Sequence, residues 1–247
     1  MKSNNELVAL WQSELNRVAH PQKVEALSRF FKTGVGEYAA GDVFIGVTVP
    51  DNRGVAKMFH DAPFEVIAEM LSSRVHEHRL SGFLALVQRF KRARCDAQVR
   101  LEVVDFYLRH ARDANNWDLV DLSAPYIIGA HLADTHEYDM LYRLAASDNL
   151  WEQRIAIVAT WGLLRVGVAG PTMEIAQRYI THGHDLIQKA TGWMLREMGK
   201  RVSTGYLCDF LDKHAAVMPR TMLRYAIEKL PAQVRKEYMS KGKLSRK

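Results

Sequence analysis

The chain has 247 residues, of which 48% are hydrophobic and 25% charged, with 15 Gly and 7 Pro. That composition excludes a disordered or fibrous protein and suffices for one large domain or an elongated repeat array. The formal net charge of +6, from 34 Lys and Arg against 28 acids, favours a polyanionic partner if the excess gathers on one surface.

In chain order, the first stretch, "MKSNNELVALWQSELNRVAH", interleaves charges with apolar residues. It reads as an amphipathic helix and lacks the apolar core of a signal peptide. Helical spacing of apolar residues then recurs almost everywhere, as in Val99, Val103, Val104, Phe106, Tyr107 and Leu108 of "VRLEVVDFYLRHA", whereas strand-like alternation is nearly absent. Breakers at Gly34 to Gly41, Pro50, Pro63, "RDANN", "SDN" at 147 to 149, "VGVAGP" at 166 to 171, "HGH" at 182 to 184, Pro219 and Pro231 divide the chain into about a dozen helices. Ser147, Asp148 and Asn149 are N-cap candidates for the helix that follows, and Pro171 suits the first turn of the next. The end, "KEYMSKGKLSRK", reads as a frayed basic tail over 236–247 behind a single domain of 1–235. The apolar runs "LSAPYIIGAHLA" and "IAIVATWGLL" fall short of the ~20 residues that span a bilayer. Cys95 and Cys208 show no CxxC spacing, which argues against a disulfide framework or a zinc site and fits a reducing cytoplasm.

Three segments look like variants of one unit: "NWDLVDLSAPYIIG", "LWEQRIAIVATWGLL" and "HDLIQKATGWMLREMG". Aligning Asp121, Arg154 and Lys189 spaces them at about the 33-residue period of helical-hairpin repeats. The expected fold class is therefore all-α, a solenoid of stacked helix pairs in which equivalent helices line a concave surface. Trp117 and Asp121 lie four apart and share a helix face, as do Lys189 and Trp193. Each residue taken singly has an ordinary explanation: a core ring for Trp117 or Trp193, a solvated charge for Asp121, a local ion pair for Arg154. The recurrence of Trp-plus-charge pairs at repeat spacing favours a functional set. The pairs His76/His78 and His182/His184 diverge at i, i+2 on a helix, so no metal and no cofactor is assigned. "GVGEYAAG" follows no strand and lacks dinucleotide spacing, and no phosphate loop, nucleophile elbow or HExxH occurs.

The segments "FFKTG", "FIGVTVPDNR", "NNWDLVDLSAP", "SDNLWEQRIAIV" and "LIQKATGWMLREMGK", in this order, resemble the AlkD-like DNA alkylation repair proteins, bacterial DNA glycosylases built from HEAT-like helical repeats. The resemblance implies a HEAT-like solenoid with a concave DNA-binding groove, with Asp121 as catalytic aspartate, Trp117 and Trp193 as aromatic clamps and Arg154 as a DNA-contacting arginine. The basic charge adds Lys189, Arg196 and Arg53 as expected DNA contacts. Phe30 stands where the family often has a tyrosine, so stacking on DNA is kept while a hydroxyl contact is not. Tyr126, Gly192 and Arg196 would shape the groove, Gly192 either by admitting DNA closely or by tight helix packing. The implied function is excision of cationic N3- or N7-alkylated purines from duplex DNA by a monomeric, cytoplasmic, nucleoid-associated protein, without a flipped base being enclosed. A noncatalytic HEAT-repeat module that binds DNA or a protein is the alternative. Asp121 discriminates between them, because a pure binder gains nothing from a carboxylate against phosphates.

Overall fold

The computed structural model describes residues 2–244, with side chains as far as 241. Among the described residues there are fifteen α-helices, two short 3-10 turns and one parallel bridge between Val43 and Val75. The fold is all-α and of the helical-repeat type. It divides into two compact units, Met1–Ser123 and Ala124–Lys247, where the sequence suggests one domain over 1–235.

The first unit holds α1 (Asn4–Arg17), α2 (Val24–Phe30), α3 (Val49–Met58), α4 (Phe64–Leu71), α5 (His76–Arg92), α6 (Ala97–Arg109) and α7 (Trp117–Asp121). Helix α1 starts in a capping box: Ser3 accepts from the Glu6 amide, and the Glu6 carboxylate accepts from the Ser3 amide. Helix α5 is buried from His76 through Val87 because it packs against α3, α4, α6 and α7 at once. Trp11 illustrates how α1 joins this core: its ring is stacked on Phe59 at 4.7 Å, and its indole N–H donates to Ser81 Oγ at 2.8 Å. The burial is thus obtained without an orphaned donor.

The second unit holds α8 (Ile128–Thr135), α9 (Asp139–Ala145), α10 (Leu150–Leu164), α11 (Gly170–Arg178), α12 (Asp185–Arg201), α13 (Thr204–His214), α14 (Arg220–Ile227) and α15 (Ala232–Leu244). Helices α8, α10, α12 and α14 lie successively against one another, with α9, α11 and α13 joining them, which is the expected repeat. Glycines set the spacing in that row. A Cβ on Gly192 of α12 would come 2.3 Å from the Met222 carbonyl of α14, and one on Gly162 of α10 would meet Gly129 of α8 at 2.4 Å. Gly192 therefore serves helix packing, the second of the two roles open to it from sequence. The expected caps are present: the Asn149 side chain accepts from the amides of Trp151 and Glu152, and Pro171 lies in the first turn of α11.

The segment "NWDLVDLSAPYIIG" forms α7, a run of turns and α8. Pro125 has no N–H to donate and its ring collides with the preceding turn, which divides the segment. The tail is no frayed end as far as it is described: α15 carries through its first nine residues. Tyr238 is buried and donates to the Cys208 carbonyl, Val234 and Met239 pack on the same core, and Lys241 Nζ pairs with Asp212 at 2.7 Å. An apolar stripe at near-helical spacing outweighs the basic composition there. Residues 245–247 of the expected tail lie outside the described residues.

Candidate active site

Helix α7 has five residues, fewer than an isolated helix needs to form in water, so its position derives from what holds it. Asn116 caps it, accepting from the Trp117 amide at 2.8 Å. Leu119 and Val120 are fully buried, and the Tyr107 hydroxyl meets Ser123 Oγ at 2.9 Å just beyond the helix. With those two apolar residues facing inward, Trp117 and Asp121 fall together on the opposite side, as i, i+4 spacing requires. Both line one cavity of about 430 Å³ in the first unit, which Phe30, Phe31, Phe44 and His76 also line.

The walls are aromatic. Trp117 is stacked on Phe31 at 5.2 Å and meets Phe30 edge-on at 5.7 Å. Phe31 in turn stacks on Phe44 at 5.1 Å, and His76 lies against both, 4.8 Å from Phe31 and 4.7 Å from Phe44. Phe30 is 63% exposed, so its ring is presented at the rim, whereas Phe31 is buried. Lys23 brings a cation to the same cavity. Arg53, on α3, is exposed and does not line it.

Behind this cavity lies a buried charge network. His76 Nε2 is 2.9 Å from Asp118 Oδ2 and its Nδ1 is 3.3 Å from Asp42 Oδ2. Asp42 also takes a 2.7 Å hydrogen bond from Arg79 Nη2, and Arg79 Nη1 donates to the Ser73 carbonyl at 2.8 Å. Burial opposes a charge on His76, but attraction and a hydrogen bond from Asp118, helped by Asp42, prevail and push it up to about 9. Burial likewise opposes ionisation of Asp42, yet His76 and Arg79 hold its carboxyl below the usual carboxylate range. Next to His76, the buried Glu77 carboxylate accepts from the amides of Ile45, Gly46 and Val47 at 2.8–3.2 Å. That loop depends on Gly46, which has φ 88°, and a Cβ there would lie 2.1 Å from the His20 carbonyl.

In the second unit, α12 carries Lys189 and Trp193 four residues apart, both partly exposed. Lys189 pairs with Asp185 at 2.6 Å. Arg196 Nη1 is hydrogen-bonded to Glu228, and Nη2 lies 3.6 Å from Glu197. Arg154 is 4% exposed, and its Nη1 donates to the Leu186 carbonyl at 2.6 Å, so it braces α10 against α12. Tyr126 meets Trp161 edge-on at 5.7 Å. The paired histidines have structural partners: His184 caps α12, its Nδ1 accepting from the Leu186 amide at 3.2 Å, while His182 lies 3.0 Å from the Gln153 side chain. Among the described residues no group of three or more His, Cys, Asp or Glu could hold a metal, and no helix is long and apolar enough to cross a membrane.

The cavity, with an aromatic wall and an acid four residues from a tryptophan, is joined by a match over residues 11–230 to the model of the family described as DNA alkylation repair enzyme. The chain belongs to the DNA alkylation repair enzyme family. A solved structure described as a predicted DNA alkylation repair enzyme from Enterococcus faecalis is similar in fold, with a TM-score of 0.67 and 17% identity over 87% of this chain and 97% of that one. No curated protein matches the chain. Membership gives the protein a role in DNA repair. Sequence reasoning missed Phe31, Lys23, His76, Asp118 and Asp42 as members of the site, because residues 34 and 42 apart in sequence announce no contact through local periodicity.

Proposed function

We propose that the protein is a monofunctional DNA glycosylase that removes cationic N3- or N7-alkylated purines from duplex DNA by hydrolysis, acting as a monomer on nucleoid DNA. The observation that carries this reading is the common cavity of Trp117 and Asp121, walled by aromatic rings. An alkylated purine already bears a positive charge. When its bond to C1′ breaks, the base departs with the electron pair and becomes neutral, and positive charge develops on the sugar. The Asp121 carboxylate is assigned to stabilise that cation and to accept hydrogen bonding from the water that adds to C1′, whose proton passes to solvent. Trp117 is assigned to the sugar face and to the cationic lesion, an attraction worth ~0.5–2 kcal/mol. Phe30, with its exposed ring, is assigned to stack on DNA, and the lesion base is taken to remain largely within the duplex.

From the second unit, Trp193 is assigned to the sugar, and Lys189, Arg196 and Arg154 to phosphates, which fix register without reading sequence. Ion pairing of Lys189 and Arg196 with acids supports a modest contribution from each, and the burial of Arg154 supports a bracing role that holds α12 in place and limits its direct contact with a phosphate. Arg53 is assigned to a peripheral phosphate. The test is release of free 7-methylguanine from a methylated duplex by purified protein. Release that depends on Asp121 supports the proposal, and duplex binding with no release supports a noncatalytic DNA-binding module.

A further inference from the structure

The network behind the cavity does more than fill space. Asp118 is buried and Asp42 nearly so, its side chain 9% exposed, and they face opposite nitrogens of one imidazole. A neutral imidazole has a single N–H, so one carboxylate would confront a lone pair, whereas an imidazolium donates to both. Charge counting agrees. Against two carboxylates, Arg79 supplies one fixed positive charge, paired with Asp42, and an imidazolium supplies the second. The groups facing His76 are Asp118 from α7, Asp42 from the loop before α3, and Arg79 one turn along α5. Glu77 is adjacent, but its carboxylate is turned to backbone amides. Phe31 and Phe44 cover the ring and contribute no charge, and Lys23 and Asp121 line the cavity beyond.

Both attachments of this network are on or beside α7. Asp118 lies between Trp117 and Asp121, and Asn116, whose side chain caps α7, also reaches Asp42 at 3.5 Å. We propose that protonated His76 is a positioning residue: through Asp118 it fixes α7, and with it the presentation of Trp117 and Asp121 to the cavity. The clamp rests on the proposed excision chemistry only for its consequence, since the protonation state and the rigidity of α7 are properties of the free protein. The raised proton affinity of His76 accords with it. A buried ion pair that served stability alone would lower the folded fraction when removed and leave the folded molecules as fast as before.

Three measurements on the full chain decide the matter. In ¹⁵N-histidine spectra at pH 7.5, both ring nitrogens of His76 should be protonated, and Asp118→Asn should lower the pH at which that proton is lost. Amide exchange in α7 should accelerate in His76→Gln and Asp118→Asn while α6 keeps its protection. Single-turnover release of 7-methylguanine per folded molecule should fall about 10- to 100-fold, the scale of misplacing a reacting group by an ångström, with duplex affinity little changed. A neutral His76, unaltered α7 exchange, or wild-type release in the folded variants overturns the clamp. If His76→Gln does not fold, Asp118→Asn, which keeps Asp42, His76 and Arg79, carries the same test. If wild type releases no base, the excision proposal fails, and the spectra and the exchange still judge the clamp.

Discussion

Asp121 and Trp117 point into one cavity because Leu119 and Val120 between them point into the core. Asp121→Asn keeps the side chain's shape and removes the charge assigned to the sugar cation. Excision should drop by at least ~10²-fold, the usual scale for a preorganised electrostatic group, with duplex affinity equal or better. Single-turnover base release beside a binding titration checks this, and unchanged release would remove Asp121 from the mechanism. Trp193→Ala should slow release less. Arg154→Ala should weaken binding about equally for all sequences, and its burial adds a stability loss measurable in urea, because the Leu186 carbonyl loses its donor. The i, i+4 pairing of Trp117 with Asp121 was legible in seven letters of sequence. The bracing of Arg154 was not, since its acceptor is a backbone carbonyl 32 residues away, which no side-chain pattern encodes.

At the level of elements, α7 and α12 depend on different devices. Helix α7 is held by a charge network, so its stability follows pH. The folded protein holds the His76 proton up to about pH 9, against an ordinary histidine value near 6.5 in the unfolded chain. Its contribution, on the order of a few kcal/mol, is therefore complete below about 6.5 and is lost as pH rises through 9. Asp42, depressed in the folded state, contributes above its unfolded value and loses that contribution as pH falls into the acid range. Urea midpoints across pH 4–10 should decline on the alkaline side, and His76→Gln should abolish most of that decline. Helix α12 is held by close approach. Gly192→Ala would gain up to ~1 kcal/mol of helix propensity, but the Met222 carbonyl cannot retreat from a Cβ at 2.3 Å, and overpacking of ~1–3 kcal/mol should win. A lower Tm with unchanged DNA affinity is expected. The caps at Ser3, Asn149 and Pro171 follow from local sequence rules. The division at Pro125 is legible too once its missing donor is weighed against the apolar run around it, whereas the Asp42–His76–Asp118 contacts are a product of tertiary packing alone.

For the molecule as a whole, all-α repeat character was readable because apolar spacing near 3.6 persists along nearly the entire chain and the Asp121, Arg154 and Lys189 segments repeat. The two compact units were not, because the turns after α7 carry no Gly/Ser-rich linker to mark a boundary. A net charge of +6 predicts nonspecific duplex binding that weakens with salt, with a log–log slope of about 0.9 per phosphate neutralised. Salt-independent affinity would oppose it. The central claim concerns the leaving group. An ionised Asp121 cannot protonate a departing base, and Asp118, the other carboxylate on α7, is occupied by His76. Neutral lesions need such protonation, worth ~10²–10⁴ in rate, whereas cationic ones arrive activated. The most direct measurement is single-turnover base release from two matched duplexes, one carrying 7-methylguanine and one carrying uracil, between pH 6 and 8. Ready release of 7-methylguanine at a nearly constant rate, with uracil left in place, is the predicted result; comparable release from both duplexes would contradict the mechanism and require a proton donor beside Asp121.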